Sequence, residues 1–358
     1  MPMSEPTPRG MGPIFEVDGV SKEFGRAAGL LRGSTTLVTA LDDVSLSVER
    51  GESFGLVGES GSGKTTLGRM LVHFDTPSKG TVRFEGNDVD ALHGRDLMTF
   101  RRRVQMVFQN PYSSLNPRRS IRDALSAGYA IHGIARGNER DARLLALLDR
   151  VGLHESMLDR HPHEFSGGQR QRIVIARALT VGPDALIADE PVSALDVSIQ
   201  AQVLNLLSEL RREMQLTVVF ITHDLRVANF FCDRIGVLYL GRLVEAGPRA
   251  VIVNRSSHPY TRMLLSAAPT GDPGERPSRP LVRGEIGTGT PLREGCVFAP
   301  RCWLREQLDR PERCTTEVPA TRRLADRHVA ACHFAEEVEA RAPAASGHPS
   351  GGAIPVGP

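Results

Sequence analysis

The stretch "GESGSGKTT", residues 58–66, sets glycines, a lysine and hydroxyl side chains in the order G-x-x-x-x-G-K-[ST]. Glycines let backbone amides curl around phosphate oxygens, and a helix starting at the lysine adds a favourable dipole. Lys64 would bring positive charge to the β- and γ-phosphates, and the Thr65 hydroxyl suits Mg²⁺. A flexible turn would explain the glycines but not the lysine and hydroxyls, nor the strand and helix patterns on either side. A nucleoside-triphosphate site is therefore expected, lined by Gly58, Ser60, Gly61, Ser62, Gly63, Lys64, Thr65 and Thr66.

Two further stretches carry chemistry. "ALIADE", residues 185–190, is an apolar run ending in two acids. Asp189 could hold Mg²⁺, and Glu190 could accept a proton from an attacking water. "EFSGGQRQR", residues 164–172, opens a helix at a glycine pair with Ser166 placed as its N-cap, but it has no lysine for phosphate.

The cysteines pose a separate question. Four of the five stand at 296, 302, 314 and 332, spaced C-x5-C-x11-C-x17-C, while Cys232 lies apart in "FFCDRIG". Four thiolates suit tetrahedral zinc or one iron–sulfur cluster, and reduced, partly buried thiols without metal are the plain alternative. The tight C-x2-C pairs of zinc ribbons and bacterial ferredoxins are missing. His333, beside Cys332, is a substitute ligand or a bystander.

Positioning these residues requires a substantial core. The chain has 358 residues, 40% hydrophobic and 24% charged, enough for two domains or one with an appendage. A formal net charge of +2 gives no general attraction to nucleic acid, and "RRR" at 101–103 reads as a solvated helix face. The N-terminal residues lack the apolar run of a signal peptide, and no run approaches the ~18–20 apolar residues of a membrane helix. The expected compartment is the cytosol, where disulfides are rare.

Strand-like runs alternate with helical patterns. "ESFGLVG", "RVQMVFQ", "ALIAD", "LTVVFIT" and "RIGVLYL" read as buried strands, and "KTTLGRMLVHF" as the helix after the glycine loop. "SIQAQVLNLLSELRREM" places Ile199, Val203, Leu206, Leu207 and Leu210 on one helical face. An α/β fold with a mostly parallel sheet is expected, with a helical insert at about 111–178. "AAPTGDPGERPSRP", 267–280, reads as a linker, and residues 1–13 and 341–358 as disordered tails. The domains are then 14–267 and a cysteine-bearing 268–340.

"GESGSGKTT", "VFQNP", "FSGGQ", "LIADEP", "SALD" and "THD" follow one another in the order and approximate spacing of ATP-binding cassette (ABC) ATPases, and the chain resembles that family over about residues 14–267. The resemblance implies a P-loop NTPase fold with a RecA-like core and a helical subdomain. It implies that Gln109 contacts Mg²⁺ and the attacking water, with Thr65 and Asp189 as the other Mg²⁺ residues, and that His223 senses the γ-phosphate. Ser166, Gly167, Gly168 and Gln169 match the signature, with Phe165 where leucine is commonest, and Asp196 matches the D-loop aspartate. Phe24 stands where the family stacks an aromatic ring on adenine, beside an apparent insertion at 25–38. In the family, one cassette's signature closes over ATP held by another, so a dimer is implied.

"QNPYSSLNPR", "PHEFSGGQRQR" and "HPYTRMLLSAAP" look like the ATP-binding subunits of oligopeptide and dipeptide importers, and the resemblance continues through "GCVFAPRC" and "VAACHF". "GKTTLGR" and the tyrosine of "NPYSSLNPR" favour the second of that system's two paired ATPases. The implied partners are a paired ATPase (or a second copy of this chain), two transmembrane permease subunits and an extracytoplasmic substrate-binding protein, with the chain at the cytoplasmic face of the membrane. Some relatives of this kind carry a [4Fe–4S] cluster at the cysteines, which implies such a cluster through Cys296, Cys302, Cys314 and Cys332. Nickel, glutathione or another small solute is the alternative cargo. The rival class is a soluble ABC ATPase acting on nucleic acid or ribosomes.

Overall fold

The computed structural model describes residues 12–26, 36–266 and 294–342. The expected linker and most of both expected tails lie outside the described residues. The described residues fall into two compact units, divided between Leu243 and Val244.

In the first unit, β1 (Phe15–Arg26) and β2 (Thr36–Val48) pair antiparallel. Then follow β3 (Ser53–Val57), α1 (Lys64–Leu71), β4 (Lys79–Phe84), β5 (Asn87–Asp88), α2 (Gly94–Arg103) and β6 (Val104–Val107). Next come α3 (Pro111–Ser114), α4 (Ile121–His132), α5 (Gly137–Arg150) and α6 (Gly167–Leu179). The unit continues with β7 (Ala185–Asp189), α7 (Val197–Met214), β8 (Thr217–Thr222), α8 (Leu225–Phe231) and β9 (Arg234–Tyr239).

A parallel sheet runs β9-β3-β8-β7-β6. Every residue of β3, β7 and β8 is buried, as expected of strands covered on both faces, whose sequences read as continuous apolar runs. All five expected strands form, and so does the helix after the glycine loop. Between β6 and β7 the described residues contain helices and no strand. On α7, Val203, Leu206, Leu207 and Leu210 are buried, while Ile199 is only partly covered.

A second, antiparallel sheet, β2-β1-β4-β5, did not emerge from the sequence pattern. Its β1–β2 ladder shifts register at three places between Val17 and Glu23, which breaks the alternation that marks a half-buried strand. The arginine run also differs from a uniformly solvated face. Arg101 and Arg102 are exposed, but Arg103 makes two bonds to Glu85, at 2.6 and 2.7 Å, pairs with Asp184 and lies 4.9 Å from the Phe84 ring centroid. These contacts join the end of β4 to the start of β7. Arg103 holds the Glu85 carboxyl down to about 2, assisted by Arg50.

In the second unit, β10 (Arg242–Pro248) is followed by α9 (Arg249–Arg255), α10 (Pro259–Ser266), α11 (Trp303–Gln307) and α12 (Arg313–Thr316). Then come β11 (Arg322–Ala325), β12 (His328–Ala330) and α13 (Val338–Arg341). β12 pairs antiparallel with both β10 and β11. Glu245, fully buried on β10, accepts bonds from the amides of Ser257 (2.6 Å) and His258 (3.2 Å) and pairs with His328 Nε2 at 2.9 Å. This carboxylate fixes the chain entering α10. Among the described residues, no helix is long and apolar enough to cross a membrane.

Candidate functional site

Parallel strands end on the same edge of their sheet, and here that edge gathers the chemistry. Val57 of β3 is level with Thr222 of β8, Ile221 with Asp189 of β7, and Ala188 with Val107 of β6. The glycine loop, His223, Glu190 and Gln109 each follow one of these four ends. Adjacent strands lie about 4.8 Å apart, so residues up to 165 positions apart in sequence become neighbours.

The loop's backbone leaves no alternative to glycine at two positions. A Cβ at Gly58 would stand 2.2 Å from the Leu238 carbonyl oxygen. Gly63 has φ 101°, and a Cβ there would stand 2.5 Å from the Ala40 carbonyl oxygen. Lys64, 5% exposed, curls back so that Nζ donates to the carbonyls of Gly58 (2.7 Å) and Glu59 (2.9 Å). Burial lowers its pKa, and the nearby carboxylates of Glu190, Asp189 and Glu59 oppose that shift. The ammonium thus lies on the rim of the loop whose amides would receive phosphate.

Thr65 Oγ1 donates to Asp189 Oδ1 at 3.2 Å. Burial raises the Asp189 pKa, with the Thr65 bond acting against it. A hydroxyl and a buried carboxylate at this spacing form a hard-oxygen donor pair that fits Mg²⁺. Beside them, Glu190 is held at both carboxylate oxygens, by Gln109 Nε2 at 2.9 Å and by His223 Nδ1 at 3.2 Å. Its backbone takes a left-handed φ of 45°, costly for a residue with a Cβ. Bonds from its amide to Ile221 O and to its carbonyl from the amide and hydroxyl of Ser193 hold it there.

The structure brings Gln109, Glu190, His223, Lys64, Thr65 and Asp189 to one place. The signature residues point elsewhere. Ser166 and Gln169 cap α6 reciprocally, at 3.1 and 3.3 Å, and the glycines pack against α7 and the turn before it. A Cβ at Gly168 would stand 2.5 Å from Ile199, and one at Gly167 3.5 Å from Leu195. Asp196 caps α7 through Ile199 N at 3.0 Å, which together with Ser198 holds its carboxyl below the usual range. Ser166 and Asp196, both exposed, thus cap two helices that pack together at the signature glycines. Phe24 is 43% exposed on β1, with Lys22 Nζ 5.2 Å from its ring centroid.

Some features of both units leave no mark in the local sequence pattern. A groove of about 780 Å³ lies between α1, β6 and helices α3, α4 and α6. Phe74 and Phe108 stack in its wall 5.9 Å apart, and Arg101, Arg119, Arg177 and His132 line it without a carboxylate among the described residues. Scattered single residues leave no spacing signal for such a surface. The Glu245–His328 pair was equally hidden, because its members are 83 residues apart.

In the second unit, Cys296, Cys302, Cys314 and Cys332 all line one small cavity of about 20 Å³. Burial pushes the Cys302 and Cys332 thiols up to about 12, and the neighbouring sulfurs push the same way. The amide of Arg305 donates to Cys302 Sγ at 3.4 Å, and that of Phe334 also bonds to Cys332. Among the described residues, no three His, Cys, Asp or Glu side chains are arranged to hold a metal ion. His333 Nε2 bonds to the Glu317 carbonyl at 2.9 Å, so that nitrogen is already engaged. Cys232 is fully buried against Gly55.

The family model described as "ABC transporter" matches residues 41–193, and that of "Oligopeptide/dipeptide transporter, C-terminal region" matches 244–308. The chain is 46% identical over 320 residues to a putative peptide import ATP-binding protein of Brucella ovis, covering 89% of this chain and 97% of that one. It is 44% identical over 324 residues to the oligopeptide transport ATP-binding protein AppF of Bacillus subtilis, covering 90% and 97%. Among solved structures it is similar to cbiO1 of Clostridium perfringens, part of the ABC transporter complex cbiONQ, with TM-score 0.58, 27% identity and coverage of 67% and 90%. It is also similar to a dimeric post-hydrolysis state of the ATP-binding cassette MJ0796 bound to ADP and Pi, with TM-score 0.57, 30% identity and coverage of 66% and 98%.

Proposed function

This chain belongs to the ATP-binding subunits of ABC transporters of the oligopeptide/dipeptide type, and from that premise we propose that it powers peptide import by ATP-driven dimerisation of cassettes. The observation that carries the catalytic part is the clamp of Glu190 between Gln109 and His223 beside the Lys64 loop.

The chain's own residues then have definite tasks. Lys64 exchanges the Gly58 and Glu59 carbonyls for β- and γ-phosphate oxygens, where its charge is better matched. Thr65, Asp189 and Gln109 would hold Mg²⁺, which supplies charge neutralisation to the phosphates when bound. Glu190 takes the proton of the attacking water, and His223 and Gln109 keep its carboxylate aimed. Phe24 offers an exposed ring to adenine. Ser166 to Gln169 present a capped helix N-terminus to the γ-phosphate on a partner cassette, with Asp196 alongside.

The partner cassette is a paired ATPase or a second copy of this chain. The groove beside Phe108 and the helical insert receives a segment of one of the two membrane permeases at the cytoplasmic face, and an extracytoplasmic binding protein delivers cargo. Its size, its stacked phenylalanines and its uncompensated arginines suit a short amphipathic segment with an acidic residue. Co-purification from membranes should yield this chain with two membrane proteins, and reconstitution should show ATP-dependent uptake of short peptides. Sedimentation with ribosomes or DNA instead would overturn the transporter reading, and uptake of nickel or glutathione alone would replace the cargo.

For the cysteine pocket we propose an iron–sulfur cluster ligated by Cys296, Cys302, Cys314 and Cys332. Four sulfurs that share one cavity are a donor set that such a core can use, and amide bonds to sulfur are typical of such sites. The cavity is small, so loading must spread the short turns that carry the cysteines. Zinc, or no metal at all, would show in metal analysis of anaerobically purified protein.

A further inference from the structure

Arg305 lines the four-cysteine cavity from α11, and its Nε is buried without a hydrogen-bond partner. Its own amide already bonds to Cys302 Sγ. Burying an unpaired guanidinium N–H is costly, and a sulfur acceptor in the cavity would relieve that cost. Among the described residues no carboxylate pairs with the Arg305 side chain. Arg313, next to Cys314 in the chain, is occupied by Glu317 at 2.7 Å and is well exposed. Arg305 is thus the one of these two with charge to spare.

Four thiolates bring more negative charge to a metal core than the core offsets, and among the described residues lining the cavity there is no carboxylate. We infer that Arg305 is the counter-charge of the four-cysteine centre, that its Nε–H serves a sulfur of the bound cluster, and that it sets the centre's reduction potential. The inference rests on the iron–sulfur reading above. A positive charge and an N–H donor near the sulfurs stabilise the more negative, reduced state and so raise the potential. Arg305 acts through the sulfurs and is a positioning residue.

The test uses the full-length chain purified anaerobically, as wild type, Arg305→Lys and Arg305→Gln, with iron and sulfide content, absorption spectrum and midpoint potential measured for each. Arg305→Gln should keep its iron and become harder to reduce, by about tenfold in the oxidised-to-reduced ratio at fixed potential, or about 59 mV for one electron. Arg305→Lys should stay near the wild-type potential. Iron lost from Arg305→Gln but kept in Arg305→Lys also supports a charge role. Unchanged potential in an iron-loaded Arg305→Gln protein overturns the inference and leaves the cluster reading intact. Loss of iron from both variants, with the fold retained by circular dichroism, overturns it as well. Wild-type protein free of iron and sulfide overturns both.

Discussion

In the first unit, Gln109, Glu190, His223 and the glycine loop follow four neighbouring strands of one parallel sheet. In the second, Cys296 precedes a short turn, Cys302 caps α11, Cys314 lies within α12, and Cys332 follows β12. The first arrangement draws its precision from buried strands with fixed register. The second has short elements and a few local bonds, among them Cys296 N to the Cys314 carbonyl at 2.8 Å. Its hydrophobic support is correspondingly modest, such as the cluster of Trp303, Leu304 and Val338. A site on a sheet edge is preformed before its ligand arrives, as the clamp on Glu190 shows. A site on short turns has more to gain from an inorganic centre, because binding energy then becomes folding energy.

Four changes would break or sharpen this contrast. Glu190→Gln removes the proton acceptor while Gln109 and His223 remain, and ATP turnover should fall about 10²–10⁴-fold with nucleotide binding retained. A turnover assay paired with a nucleotide titration decides it, and undiminished hydrolysis refutes the role. Glu245→Ala attacks the second unit instead. It leaves two amides and His328 without their shared acceptor and should cost about 3 kcal/mol, read as a lower denaturation midpoint for the second unit with nucleotide affinity unchanged.

Lys64→Ala should weaken ATP binding about tenfold to a hundredfold, as expected for one charge-assisted contact, measured by fluorescence or calorimetric titration. Among the described residues the lysine bonds loop carbonyls and the Ser62 hydroxyl, so thermal stability without nucleotide should move less than affinity does. The smallest effect concerns the join between the two sheets. Glu85 is depressed to about 2 from its ordinary 4.5, so its pairing with Arg103 is fully present above about pH 4.5 and lost as pH falls towards 2. With partial exposure screening the pair, the contribution is about 1–2 kcal/mol. The stability gap between wild type and Glu85→Gln should therefore close between pH 5 and 2, and a pH-independent gap would mean the carboxylate's charge is not what matters.

How much was legible in the sequence differs between the same two regions. The phosphate loop, the acids of β7 and the apolar runs of β3, β7 and β8 are contiguous, so local spacing discloses both element and chemistry. The antiparallel sheet was hidden by register shifts within β1 and β2. Arg103 looked like one of three solvated arginines, because its partners Glu85 and Asp184 come from elsewhere in the chain. The cysteine spacing suggested a centre, but Arg305, Glu245 and His328 carried no local sign of their part.

The sequence by itself determined the residues that meet phosphate and the parallel strands that carry them, since both are written in short stretches with a fixed period. It also determined that four cysteines recur without tight pairing. Only the tertiary structure decided that Gln109 and His223 grip opposite oxygens of Glu190, since the register of three parallel ladders sets that geometry. It alone decided that the signature serine caps its own helix while the signature glycines pack against Leu195 and Ile199. It also decided that Arg305 comes to the cysteines without a carboxylate, because burial and long-range pairing depend on contacts between residues that are distant in the chain.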